Sequence, residues 1–317
     1  MARIGSREVG AQGFGAMGLS HSYGHADDAE SLTTLHRAID LGIVFFDTAT
    51  GYGLGHNEEL LGRAIRENRD RLLIASKFTH RGHGSDTPSV TARDAVEASL
   101  KRLGVDHIDL YYLHRIDPAI PVEESIGQLG RLRDEGKIGG VGISEASAEQ
   151  LRRAHDTTPI TALQSEYSLW TREVEDEILP TARELGVAFV AYAPLGRGFL
   201  AGGAPTEADD RRNLHPRFQE EAVRANTRRR RVIEDVAERL RLTPAQVSLA
   251  WVLSKGVVPI PGTRRVRHLE DNWAANGIAL DSETIADLEA AFPRGTTVGA
   301  RYPAEQMKLV PPARAYA

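Results

Sequence analysis

Asp47, Tyr52, Lys77 and His114 are a carboxylate, a phenol, an ammonium and an imidazole, and together they make a complete proton-delivery set. A phenol whose pKa lies near ~10 is a poor acid at neutral pH, but an ammonium ~4 Å away, at an effective dielectric of ~20, favours its phenolate by roughly 4 kcal/mol, about three pKa units. Lys77 is therefore expected to bring Tyr52 toward the working pH, with Asp47 holding Lys77 charged and in place. His114 is expected to orient the acceptor oxygen.

Residues so far apart need a scaffold that gathers them. Each lies at or just past the end of an apolar run: Ile43-Val44-Phe45-Phe46 before Asp47, Leu72-Leu73-Ile74-Ala75 before Lys77, and Leu110-Tyr111-Tyr112-Leu113 before His114. In a parallel βα barrel all strand ends open onto one face, which is where such barrels do chemistry. Strand-like runs begin near Ile43, Leu72, Ile108, Ile138, Ala162, Val187 and Val257, with a weaker one near Gly13, and amphipathic stretches such as Leu32, Leu35 and Ile39 alternate with them. Eight such runs predict an α/β fold, a closed (β/α)8 TIM barrel. Thr87-Pro88 and Thr243-Pro244 read as an N-cap followed by an N1 proline, Gln246 completes a capping box, and Gly42, Gly104 and Gly256 stop helices. From Pro194 to Asn226 the periodicity lapses, over a stretch longer than an ordinary connection, which predicts a functional loop after the seventh strand.

The 317 residues carry 39 basic and 44 acidic side chains, a net charge of −5, with no footprint for nucleic acid or an anionic membrane surface. The absence of cysteine excludes disulfides, thiolate metal sites and cysteine nucleophiles. No run approaches ~18 consecutive apolar residues and the N-terminus lacks an apolar leader, so a cytoplasmic protein without a membrane span is expected. No Pro/Gly/Ser linker divides the chain, which is read as one domain over 1–317. The oligomeric state is not legible.

The settings FFDTATGYG, IASKF and YYLHR, with GFGAMGLS, GKIGGVGISEAS, QSEYSLWTR, AYAPLGRGFL, IPGTRR and RYPAEQMKLV, run through nearly the whole chain. They resemble the aldo-keto reductases, and LHRID and SEAS resemble the bacterial, fungal and plant branch of that family. The resemblance implies NADPH used without a Rossmann domain, NADH as a weaker substitute, and reversible reduction of a small aldehyde or ketone to an alcohol. Gly13 to Gly18 does match GxGxxG, but the loop sequence Leu19-Ser20-His21-Ser22-Tyr23 follows instead of a helix, so the Rossmann reading fails.

By the same resemblance, Ala16 and Met17 approach the cofactor at the exit of the first strand. Ser144 and Gln164 hydrogen-bond the carboxamide, and Tyr192 stacks on the nicotinamide ring. Pro194, Leu195, Gly196, Gly198 and Leu200, with Arg197 and Phe199 between them, belong to a loop that folds over the pyrophosphate and ribose. Thr263, Arg264 and His268 reach the 2′-phosphate at a helix N-terminus, and Asp271 and Asn272 reach the adenine. Gly262 joins this set, although many family members carry lysine there. Glu145 stands where other branches have asparagine and receives no amide contact.

The substrate pocket is expected from loops after Met17, Phe78 and Arg115, from the long loop, and from a tail around Arg301, Tyr302 and Met307, with Phe14, Met17, Tyr52 and Phe78 giving a partly apolar mouth. His21 with His25, and His80 with His83, lack a third ligand, so no metal is expected. Arg228 to Arg231 reads as a solvated basic run opening a helix. Two other readings stay open: a Schiff-base aldolase using Lys77, and a cofactor-sensing regulatory subunit with little turnover.

Overall fold

The computed structural model describes residues 2–20, 22–81, 90–205 and 207–311. An antiparallel hairpin comes first, β1 (Ala2–Ile4) and β2 (Arg7–Gly10), turning at Gly5-Ser6. Eight parallel strands follow: β3 (Phe14–Gly15), β4 (Phe45–Asp47), β5 (Leu73–Phe78), β6 (Ile108–Leu113), β7 (Ile138–Ser144), β8 (Ile160–Glu166), β9 (Ala188–Tyr192) and β10 (Val258–Pro259). They pair in chain order, and the Gly13 N–H donates to the Pro259 carbonyl at 3.0 Å, joining the last strand to the first. These are the eight runs read from the sequence.

Helices α1 (Asp28–Asp40), α2 (His56–Ile65), α3 (Ala92–Leu103), α4 (Val122–Asp134), α5 (Ala148–Thr157), α6 (Ile178–Glu184), α7 (Glu220–Leu240), α8 (Pro244–Ser254), α9 (Val266–Ala274), α10 (Ser282–Ala291) and α11 (Ala304–Met307) surround or follow the strands. Their ends obey local chemistry. Thr243 caps α8 and Gln246 returns the bond as a capping box, and Ser147 with Gln150 does the same for α5. Thr87 and Pro88 lie outside the described residues, and α3 itself begins at Ala92 with Thr91 accepting from the Asp94 N–H.

Two apolar layers hold the strands. Phe45, Leu73, Ala75, Leu110, Tyr112, Ala162, Val190, Val258 and Ile260 fill the barrel interior, joined by Ile4 and Val9 of the hairpin. The hairpin therefore plugs the end opposite the strand C-termini, and Arg7 ties it to Asp109 at 2.7 Å and to the Leu72 carbonyl at 3.1 Å. A second, larger layer packs the outer strand faces against the helices. Where β3 and β10 meet, the backbones nearly touch: a Cβ on Gly262 would overlap the Gly15 carbonyl oxygen. A side chain there would require this carbonyl to shift, so the close approach suits glycine.

Three local expectations change. The aperiodic stretch after β9 contains 3-10 turns at Gly196–Ala201, Arg211–Leu214 and Pro216–Phe218, and helix α7 begins at Glu220, before the expected loop end at Asn226. Arg228 to Arg231 thus lie inside α7 rather than opening it, and Arg229 and Arg230 donate to the carbonyls of Ala291 and Phe199. Phe14 and Phe78 belong to the buried outer layer and cannot line a pocket mouth, whereas Leu54 stands fully exposed beside Tyr52.

Candidate active site

Register brings the four residues to one face. Asp47 ends β4, Lys77 is the penultimate residue of β5, and His114 directly follows β6. The loop after β4 is stitched to β5: the Thr48 N–H donates to the Ala75 carbonyl at 2.9 Å and the Thr50 N–H to the Lys77 carbonyl at 3.0 Å. Tyr52 then opens a short 3-10 turn whose Gly53, Leu54 and Gly55 all have positive φ, a sharp corner that swings its ring back over the barrel. Buried Asn57 braces this loop, accepting from Thr48 Oγ1 at 2.6 Å and donating to the Ala16 carbonyl at 2.9 Å. The sequence reading missed Asn57, and its only signal was a polar residue on the otherwise core-facing side of a helix.

Lys77 is 0% exposed and Asp47 2% exposed, and the two are in direct hydrogen-bonded contact. Lys77 Nζ also donates to the Thr48 carbonyl at 2.7 Å, while Gln164 Nε2 donates to the other Asp47 oxygen at 2.8 Å. Burial pushes the Lys77 pKa down and the Asp47 pKa up, each opposed by the partner's charge. The Tyr52 and His114 rings meet edge to face, 85° apart at 5.8 Å, and Lys77 Nζ lies 5.2 Å from the Tyr52 ring centre. The Tyr52 pKa is raised, first by burial and next by the Asp47 carboxylate, with Arg115 and Arg197 opposing. This corrects the expectation that Lys77 brings the phenol toward neutral pH. A lysine charge cancelled at contact by Asp47 leaves little net field at the phenol, so Tyr52 keeps its proton at neutral pH.

Ser144 and Gln164 are paired neighbours at the ends of β7 and β8, and Glu166 is paired with Tyr192 at the ends of β8 and β9. Gln164 is here engaged with Asp47, and Ser144 Oγ accepts from Arg115 at 3.2 Å. The Tyr192 hydroxyl donates to Glu145 at 2.9 Å and lies 2.9 Å from the Tyr302 hydroxyl. Ala16 is buried, with its N–H on the Asp47 carbonyl at 2.8 Å, and Met17 begins the adjacent 3-10 turn. The loop after β9 explains its glycines: Gly196 and Gly198 have φ of +56° and +92°, and a Cβ on Gly196 would press on the Trp170 ring. Pro194 is buried and Leu195 half-buried, whereas Leu200 and Phe199 turn inward, Phe199 stacking on Trp170 at 4.2 Å. Leu200 can therefore meet a ligand only through its backbone.

At the far end, Arg264 donates to the carbonyls of Tyr23 at 2.8 Å and Gly24 at 3.3 Å, and Thr263 accepts from the Arg265 N–H at 3.1 Å. Helix α9 starts behind Arg265 without a side-chain cap, so its first-turn N–H groups are open to an anion among Thr263, Arg264, Arg265 and Arg267. His268 is exposed, Asp271 half-buried and Asn272 buried on the same helix. This donor set fits a phosphate. His80 is buried and satisfied by Ser125 at 2.8 Å, His21 and His83 lie outside the described residues, and among the described residues no cluster of three metal-binding side chains occurs.

A buried ionic cluster that the sequence reading did not assemble walls this face. Glu145 takes both ends of Arg301, at 2.8 and 3.1 Å, from a backbone with φ of +52°. Glu166 pairs with Arg197 at 3.0 Å and Arg217 at 3.3 Å and accepts from Thr171 at 2.8 Å. Burial opposes its charge, yet Arg197, Arg301 and Arg217 hold the Glu166 pKa down to about 2, against an ordinary 4.5. A depressed carboxylate stabilises the fold above its ordinary pKa, and that stability is lost as pH falls toward about 2. Glu166→Gln is accordingly expected to cost about 3 kcal/mol at pH 7. Urea unfolding of both proteins should give this gap at pH 7 and roughly half of it at pH 3; a gap undiminished at pH 3 would assign Glu166 a packing role.

Comparison with known proteins agrees with this architecture. Residues 12–292 match the family model of the aldo/keto reductase family. A probable aldo-keto reductase of Glycine max is 42% identical over 307 residues, covering 93% of this chain and 89% of that protein. An aldo/keto reductase from Klebsiella pneumoniae, solved in complex with NADP and acetate, superposes with a TM-score of 0.74 at 29% identity, over 95% of this chain and 98% of its own. A glycerol dehydrogenase from Gluconobacter oxydans does so with a TM-score of 0.80 at 28% identity, over the same shares. With the family match spanning nearly the whole barrel of eight parallel strands and a 42% identical relative covering 93% of the chain, this chain belongs to the aldo/keto reductase family.

Proposed function

We propose that this protein is an NADPH-dependent oxidoreductase, one cytoplasmic domain over 1–317, that reversibly reduces an aldehyde or ketone to an alcohol with Tyr52 as general acid and base. The observation that carries the proposal is the convergence of the buried Lys77–Asp47 pair with Tyr52 and His114 at the strand ends, beside Ser144, Gln164 and Tyr192. NADPH, when bound, supplies the hydride. Tyr52, kept protonated by its surroundings, gives its hydroxyl proton to the carbonyl oxygen, and His114, edge-on to it, hydrogen-bonds that oxygen and fixes its direction. Lys77 and Asp47 hold the floor of the site rigid. Ser144, Gln164 and Tyr192 would hold the nicotinamide end, Ala16, Met17 and the 194–200 loop the middle, and Thr263, Arg264, His268, Asp271 and Asn272 the adenosine phosphate end.

The aldolase alternative needs a free amine, and Lys77 is fully buried in an ion pair. Turnover on a panel of aldehydes and ketones with NADPH separates reductase from regulatory subunit, and borohydride trapping with substrate tests the imine.

Arg264 provides the cofactor test. Charge-assisted hydrogen bonds to a 2′-phosphate are worth roughly 1.5–3 kcal/mol, so Arg264→Ala should weaken NADPH binding by about one to two decades. NADH should lose much less. Quenching of the three tryptophans gives both dissociation constants. Equal losses would mean that Arg264 acts through the loop carbonyls of Tyr23 and Gly24 rather than on the phosphate.

A further inference from the structure

Four guanidiniums, of Arg115, Arg197, Arg217 and Arg301, gather at the strand ends around two carboxylates, Glu145 and Glu166. The pairs are unequal. Arg301 takes Glu145, while Arg197 and Arg217 share Glu166. Among the described residues no carboxylate lies within ion-pair distance of Arg115, whose half-buried guanidinium rests on uncharged acceptors: the His114 carbonyl at 2.7 Å, Ser144 Oγ at 3.2 Å and the Tyr302 hydroxyl at 3.3 Å. Glu145 lies within electrostatic reach and favours the Arg115 charge but makes no ion pair with it, so the guanidinium fork keeps the capacity for a contacting anion.

Position points to the occupant. Arg115 follows His114 directly and its guanidinium reaches Ser144 at the end of β7, which sets it among the strand-end groups that would reduce a carbonyl. Both Arg115, at 6.0 Å, and Arg197, at 4.7 Å, lie near the Tyr302 ring. Burial works to raise the Tyr302 pKa, yet Arg197 and Arg115 pull it below the ordinary phenol value, which marks this spot as one that attracts negative charge. The 3.3 Å bond to Tyr302 is long, and a carboxylate in its place would gain a charge-assisted, two-pronged contact.

We propose that Arg115 forms an anion subsite of the substrate pocket, so that the preferred substrates of the carbonyl reduction, on which this inference rests, carry a carboxylate near the carbonyl. The test compares 5-oxopentanoate with hexanal at saturating NADPH in the wild type, Arg115→Gln and Arg115→Lys. The wild type is expected to favour 5-oxopentanoate by at least about tenfold in kcat/KM, mainly through KM. Arg115→Gln should cut that ratio about 10- to 100-fold, with Arg115→Lys in between. Independently of any variant, pentanoate should inhibit hexanal reduction competitively and at least about tenfold more tightly than pentanamide. A wild-type ratio near one, a ratio unmoved by the variants, or equal inhibition by acid and amide overturns the subsite. Weaker NADPH binding in Arg115→Gln with an unchanged substrate ratio assigns Arg115 to the cofactor and also overturns it. If neither aldehyde nor any other carbonyl turns over, the reductase reading itself fails, a result distinct from these.

Discussion

Tyr52→Phe is expected to lower kcat/KM for carbonyl reduction by ~10²–10⁴-fold while NADPH binding survives. The ring stays, with its edge-to-face contact to His114 and its approach to Lys77, and only the transferable proton is lost. The sharp Tyr52–Gly55 corner is built from backbone torsions and bonds that the hydroxyl does not enter, so the fold around it should be unchanged. The measurement is kcat/KM on one aldehyde beside the NADPH dissociation constant. Retention of more than about a tenth of wild-type kcat/KM, with chemistry rate-limiting, would remove Tyr52 from the acid role.

Lys77→Met should damage both activity and stability, and the second effect follows from burial. Removing the ammonium strands the Asp47 carboxylate, which is 2% exposed and then leans on the Gln164 amide. Breaking a buried pair from one side typically costs ~3–5 kcal/mol. Pairing Lys77→Met with Asp47→Asn removes the stranded charge, so the double variant should recover much of the stability and none of the activity. Urea unfolding and kcat/KM measured together decide this. A double variant as unstable as Lys77→Met alone would show that Lys77 supports the floor by packing rather than charge. Tyr52→Phe combined with Lys77→Met should be little worse in kcat/KM than the worse single change, because Lys77, in holding the floor, acts on the reaction only through the placement of Tyr52.

The link between these two residues is where expectation and structure part. Sequence spacing placed a lysine and a tyrosine at neighbouring strand ends, and a bare ammonium near a phenol would acidify it. It could not show that Asp47 would meet Lys77 at contact and that Gln164 and Thr48 would complete the cage. Electrostatics depends on who is paired with whom, and pairing is a matter of distances. Gly262 teaches the same lesson sterically: the glycine is visible in the chain, but the carbonyl of Gly15 packed against it lies 247 positions away at the seam of the barrel.

The eight strands, the capping boxes at α5 and α8 and the helix-stopping glycines were legible because they rest on periodicity and hydrogen bonds within a few residues of chain. The hairpin of β1 and β2 also left a signal, Gly5-Ser6 between Ile4 and Val9, which was overlooked because each strand is only three or four residues long. The strand-end placement of Asp47, Tyr52, Lys77 and His114 followed from the same local patterns, since in a parallel barrel the end of every strand faces one way. The ionic wall of Glu145, Glu166, Arg115, Arg197, Arg217 and Arg301 was not legible. Its members come from three strand ends, two 3-10 turns and the C-terminal segment, and charged residues in loops read as solvated until folding buries them together. Local sequence thus carried the elements and the four strand-end side chains, while the charge balance around them, which sets acidity, arises only when distant loops close over one another and exclude water.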